Sequence, residues 1–183
     1  MRKFAGVLLA VLLGCSAATE AFADLLQKGD VVYAMYGMRG RDKEIYWHNM
    51  RALPVLVPAG TRATVVASTY GDISFQVGAV EYHLTATAIQ WGKYFAKNIK
   101  AVNLEKASLE NIAEGMSKED VYVIKGCPAY VGSNIKSDRK SLDQVLKRDV
   151  WYYSNTTARI DTVVVFSNGK VQSIQVHGHN KKV

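Results

Sequence analysis

Gly115-Met116-Ser117-Lys118-Glu119-Asp120-Val121, followed by Gly126-Cys127-Pro128, Trp151-Tyr152-Tyr153 and Val165-Phe166-Ser167-Asn168-Gly169-Lys170-Val171, spells out a small helical hairpin that feeds an antiparallel sheet. Ser117 is suited to cap a helix N-terminus, and Asp120, three residues on, can reach back to the cap backbone, so two orphan amide donors are met before Val121, Val123 and Ile124. Gly126 then ends the helix, because a C-terminal residue with positive φ costs least as glycine and Pro128 cannot continue the turn. Ser167-Asn168-Gly169-Lys170 supplies a tight type I′ turn between two apolar runs. The last three strands therefore read as a meander with helices packed on one face. Met116, Val121, Ile124, Trp151, Val163, Val165, Ile174 and Val176 are expected to share its core. Residues 132–140 are polar and rich in turn formers and read as an exposed loop.

Upstream, apolar runs at 31–36, 44–47, 63–68, 73–77 and 80–84 are separated by Gly37, Gly40, Gly60, Gly71 and Gly78. Short strands between glycine-marked turns indicate a small curled antiparallel sheet or barrel. From Ile89 the period changes: Ile89, Tyr94, Phe95 and Ile99 fall on one side of a helix, with Lys93, Lys97 and Lys100 outside. That helix would join two modules that meet near residues 103–108. With no low-complexity tract or long Pro/Ser linker between them, the modules should pack closely.

The order G-M-S-K-E-D-V, G-x-P, W-Y-Y and V-F-x-N-G-K-V over about residues 108–176 resembles the SmpA/OmlA family of outer-membrane lipoproteins, which includes BamE-like proteins. The resemblance implies an ααβββ layer and a scaffold or binding role. Val57-Pro58-Ala59-Gly60-Thr61 before Arg62-Ala63-Thr64-Val65 resembles the turn-then-strand signature of bacterial SH3-like modules. The expected fold is α+β: an export segment at 1–23, an SH3-like small β-barrel with a linking helix at 24–102, and a BamE-like ααβββ module at 103–183.

Residues 1–23 combine Arg2 and Lys3, an apolar stretch and Ala21-Phe22-Ala23 as a small-x-small cleavage site. The apolar stretch is shorter than the about 20 residues a membrane-spanning helix needs. A second reading competes, because Leu12-Leu13-Gly14-Cys15 resembles a lipobox in which Cys15 is lipidated. Cleavage after Ala23 leaves a protein of the periplasm, whereas lipidation at Cys15 holds it on the periplasmic face of the outer membrane. The formal charge of +7 falls by one when residues 1–23 are removed, and the basic residues are scattered. Without a basic stripe or a reading helix, nucleic acid is excluded as a partner class. Either cleavage leaves Cys127 as the one thiol able to form a disulfide, so no intramolecular disulfide is available.

Chemistry-bearing residues are few. Cys127 follows a helix end, where the dipole disfavours a thiolate, and reads as a packing residue. His177 and His179 would share one strand face but have no adjacent carboxylate or cysteine. Tyr46-Trp47-His48-Asn49 after Arg39-Gly40-Arg41-Asp42-Lys43 offers an aromatic platform beside donors, so Tyr33, Tyr36, Arg39, Arg41, Tyr46 and Trp47 form a candidate binding surface. In the competing reading Trp47 fills the small barrel. No catalytic triad, paired carboxylates, metal signature or phosphate-cradling loop stands out, and no cofactor is expected. The sequence thus points to an exported, non-enzymatic binding or scaffold protein of a Gram-negative envelope, possessing an envelope protein or cell-wall component as partner. The alternatives are a periplasmic recognition module for peptidoglycan or peptide ligands and, as a minority reading, a thiol enzyme using Cys127.

Overall fold

The structure is a computed structural model that describes residues 26–50, 52–86, 88–109, 111–156 and 159–177. Residues 1–23, expected to direct export, together with Cys15, His179 and the lysines at 181 and 182, lie outside the described residues. The fold is α+β and built mostly of strands. In the first half β1 (Val31–Ala34), β2 (Met38–Arg41), β3 (Glu44–Ile45), β4 (Val55–Val57), β5 (Arg62–Ser68), β6 (Ile73–Val77), β7 (Val80–Leu84) and β8 (Phe95–Ala96) form one curled sheet in the order β4-β2-β3-β7-β6-β5-β1-β8. Pairing is antiparallel except where β3 runs parallel to β7, with Glu44 opposite His83 and Ile45 opposite Leu84. β6 and β7 fall where the apolar runs place them. β2, β4 and β8 are additional, because Met38-Arg39-Gly40-Arg41 looks polar in sequence yet buries Met38 and Gly40 alternately.

The joining helix expected from Ile89 does not form. A 3-10 turn at Ala88–Lys93 gives way to β8, which pairs with β1 through Tyr33–Ala96 and Ala34–Phe95. Lys93, expected outside, is fully buried: its ammonium donates to the carbonyls of Ser137 at 2.8 Å and Asp138 at 3.3 Å. The break in helical period turns this side chain inward, and backbone carbonyls repay part of the ammonium's desolvation. Burial lowers its pKa from the ordinary lysine value.

In the second half, α1 (Leu104–Ala107), α2 (Lys118–Lys125) and α3 (Leu142–Leu146) accompany a sheet of β9 (Tyr130–Val131), β10 (Ile135–Lys136), β11 (Val150–Thr156), β12 (Arg159–Ser167) and β13 (Lys170–Val176) in the order β10-β9-β11-β12-β13. The Ser117–Asp120 capping box is present, and Ser141 with Gln144 forms a second one on α3. The helices do not form a continuous hairpin, because β9 and β10 intervene. Segment 132–140, expected to be an exposed loop, carries β10 and buries Ser137, whose hydroxyl donates to the Pro128 carbonyl. The Asn168-Gly169 turn takes φ of 50° and 76°, as a type I′ turn requires.

The meander is present, but its inner face is displaced by one residue. Trp151 lies opposite Val164, and Val164 opposite Ile174, so Val164 and Phe166 point to the core with Trp151. Val163 and Val165 lie on the other face, half-buried, and Val176 is 71% exposed at the end of edge strand β13. Ile124 is half-buried outside the main core, whereas Val121 is inside and Met116 and Ile174 pack at its margin.

The two halves share one core. A chain of aromatic contacts runs from Tyr36 edge-on to Tyr122 (centroids 5.5 Å), edge-on to Trp151 (6.1 Å) and, tilted, to Phe166 (4.7 Å). Around the end of α2, Asn49 donates from its side chain to the Lys125 carbonyl at 2.8 Å and from its backbone to Cys127 at 3.0 Å, while the Tyr153 hydroxyl donates to Gly126 at 3.2 Å. Gly126 is needed there twice over: its φ is 81°, and a Cβ would stand 2.5 Å from the Tyr36 ring. Gly126→Ala is expected to cost about 2 kcal/mol from the positive φ and the displaced ring. Urea denaturation measures it, and an unchanged midpoint would mean that the junction repacks freely.

Candidate functional site

After β3 the chain leaves the first sheet and is pinned across the second. Tyr46 donates its backbone N–H to Arg39 at 3.1 Å, the Tyr94 hydroxyl donates to the Trp47 carbonyl at 3.1 Å, and Asn49 is tied to the α2 end. Ala52 donates to Asn155 of β11 at 3.3 Å. Segment 46–48 therefore forms one wall of a groove of about 440 Å³. The opposing wall comes from β9 to β12: Ala129, Tyr130, Asn134, Lys136, Ser154, Arg159 and Ile160. Tyr130 pairs with Lys136 and with Tyr152, so Tyr130 and Lys136 share the sheet face that Trp151 does not occupy. Asn134 turns β9 into β10 at φ of 66°.

The groove floor is polar and unpartnered. His48 is 6% exposed and Ser154 5%, yet both imidazole nitrogens and the Ser154 hydroxyl lack a hydrogen-bond partner among the described residues. Such groups cost on the order of 1–3 kcal/mol when buried without a partner. Burial pushes the His48 pKa down to about 4, so the ring is neutral at pH 7 and carries one N–H and one acceptor nitrogen. The Trp47 ring stands 4.2 Å from the imidazole, tilted by 56°. Lys136 and Arg159 are exposed at the rim, and no acidic side chain lines the groove.

Of the six residues expected to make a binding surface, Tyr46 and Trp47 line this groove. Tyr36 does not: it is 1% exposed at the centre of the shared core, because β1 continues inward toward α2. Tyr33 is half-buried on β1 between β5 and β8. Arg39 donates from Nη1 to the Leu53 carbonyl at 3.1 Å and lines a different pocket, of about 390 Å³, with Asn49, Leu56 and Lys125. Arg41 is exposed at the end of β2. Sequence reasoning passed over His48, although it sits inside the quoted aromatic segment, and had no signal for Lys136 and Arg159, which reach the groove only through the β9–β12 pairing.

Cys127 is fully buried as a free thiol, with Ser137 Oγ at 3.5 Å and the Pro128 carbonyl at 3.6 Å. Burial first, and the neighbouring Cys127 next, hold the hydroxyls of Tyr36, Tyr94, Tyr122 and Tyr153 protonated well above the ordinary tyrosine range. The thiol is thus part of the packing between the two halves. Cys127→Ser is expected to retain ligand binding while losing about 1–2 kcal/mol of stability, because a hydroxyl replaces a small apolar group in the core. Circular dichroism during denaturation, with a binding assay alongside, checks both parts. His177 is exposed at the end of β13. Among the described residues no cluster of three or more His, Cys, Asp or Glu could hold a metal ion, and no helix is long and apolar enough to cross a membrane.

Comparison with family models, curated proteins and solved structures returns no match. The groove between segment 46–48 and the second sheet is therefore the main guide to function.

Proposed function

We propose that the protein is an exported, non-enzymatic binding or scaffold protein of a Gram-negative envelope, in which an SH3-like N-terminal module and a BamE-like C-terminal module share one core and recognise a partner at the groove between them. The observation that carries the binding reading is the pair of buried, unpartnered polar side chains, His48 and Ser154, in a groove flanked by Tyr46 and Trp47. A partner that supplies the missing hydrogen bonds recovers their desolvation cost on binding. Export rests on the pattern of residues 1–23, and the BamE-like assignment on the capping box, the G-x-P helix end and the Asn-Gly hairpin. Burial of Cys127 weighs against the thiol-enzyme reading.

The test is capture. The tagged protein, incubated with envelope extract and separately with purified cell-wall sacculi, is expected to retain a partner from one of them. Trp47→Ala should reduce retention by about tenfold, the worth of roughly 1.4 kcal/mol. Equal retention by the variant, with the fold intact by circular dichroism, would move the binding surface elsewhere. A second reading, support of outer-membrane assembly through the BamE-like module, is favoured by retention of outer-membrane proteins that survives Trp47→Ala.

A further inference from the structure

Taking the groove as the binding site, we infer that its ligand is an acidic saccharide, whose hydroxyls engage His48 and Ser154 while its carboxylate faces Lys136 and Arg159. The inference deepens the binding reading and rests on it. The floor fixes the first half of that chemistry. A neutral imidazole presents one donor and one acceptor, and the Ser154 hydroxyl can act as either, all buried and without partners among the described residues. A carboxylate alone accepts only, so it would leave the imidazole's acceptor nitrogen unmet. Neighbouring sugar hydroxyls give and accept at once and can satisfy both nitrogens.

The rim fixes the second half. Lys136 and Arg159 line the groove and no Asp or Glu is among its lining residues, which favours an anionic group at the mouth. Tyr46, Trp47 and Tyr130 supply aromatic surface for the apolar face of a pyranose ring. A volume of about 440 Å³ suits a short ligand better than a long extended chain. An acidic peptide shares the charge and could use its amides on the floor. The compact groove and its aromatic lining for a pyranose face favour the sugar.

The experiment is isothermal titration of the purified full chain with three probes: N-acetylmuramic acid, N-acetylglucosamine and a short oligoglutamate peptide. The acidic sugar is expected to bind at least about tenfold more tightly than the neutral one, as charge-assisted bonds to the rim would give. The double variant Lys136→Ala, Arg159→Ala should abolish that preference. Ser154→Ala should weaken both sugars about equally, since the lost contact is to a hydroxyl common to both. Both rim side chains are exposed and Ser154→Ala removes one atom, so each variant should fold, which circular dichroism verifies. Equal binding of the two sugars overturns the anionic requirement. Tighter binding of the peptide overturns the saccharide class while the binding reading stands. If none of the probes binds but Trp47-dependent capture from the envelope persists, the ligand assignment fails alone; if capture fails as well, the binding reading falls with it.

Discussion

Trp151→Ala is expected to destabilise the protein by about 3–5 kcal/mol, the range for deleting a buried indole. The ring is fully enclosed, donates its Nε1–H to the Arg148 carbonyl at 3.0 Å, and packs edge-on with Tyr122 and tilted against Phe166. It belongs to β11, which pairs with β9 on one side and β12 on the other. Truncation opens a cavity at the point where α2 rests on the sheet and interrupts the aromatic chain that ends at Tyr36. The cost is a large fraction of the roughly 5–15 kcal/mol by which domains are stable. Guanidinium denaturation followed by circular dichroism gives the midpoint and slope. A variant within about 1 kcal/mol of the wild type would mean that the indole does not hold the two halves together.

The parts of this fold legible in the sequence are those written in local chemistry. The capping box at Ser117 and Asp120, the positive-φ end at Gly126 and the Asn168-Gly169 turn are each set by a few neighbouring residues, and each is present. The inner face of β12 lies one residue from the expected one because Val163, Val164, Val165 and Phe166 are all apolar, so alternation gives no phase; the pairing of Trp151 with Val164 supplies it. Segment 89–99 carries a helical pattern of apolar residues, yet tertiary contacts outweigh it. Phe95 is drawn into a strand beside β1 and packs 4.9 Å from Phe75, while Lys93 is held by the carbonyls of Ser137 and Asp138. The groove was half legible. Tyr46 and Trp47 announce it locally, but Tyr130, Lys136 and Ser154 join them only through strand pairings and chain crossings between the two halves.

The second large effect concerns pH and His48. Its imidazole is held neutral in the folded protein, with a pKa lowered by burial from 6.5 to about 4. The unfolded chain accepts the proton near 6.5, the folded chain only near 4, so between those values the unfolded state binds more protons. Stability from this group is therefore fully present above about pH 6.5 and is lost as the pH falls toward about 4. At about 1.4 kcal/mol for each pH unit the loss approaches roughly 3 kcal/mol. The difference between wild type and His48→Leu isolates the contribution: leucine keeps an apolar side chain against Trp47 but has no proton to take. Denaturation midpoints at pH 7 and pH 4 are expected to fall more steeply for the wild type, by about the same 3 kcal/mol. Parallel slopes in the two proteins would mean that the imidazole is solvated or partnered in solution. That result would also remove the buried, unpartnered floor on which recognition at the groove depends.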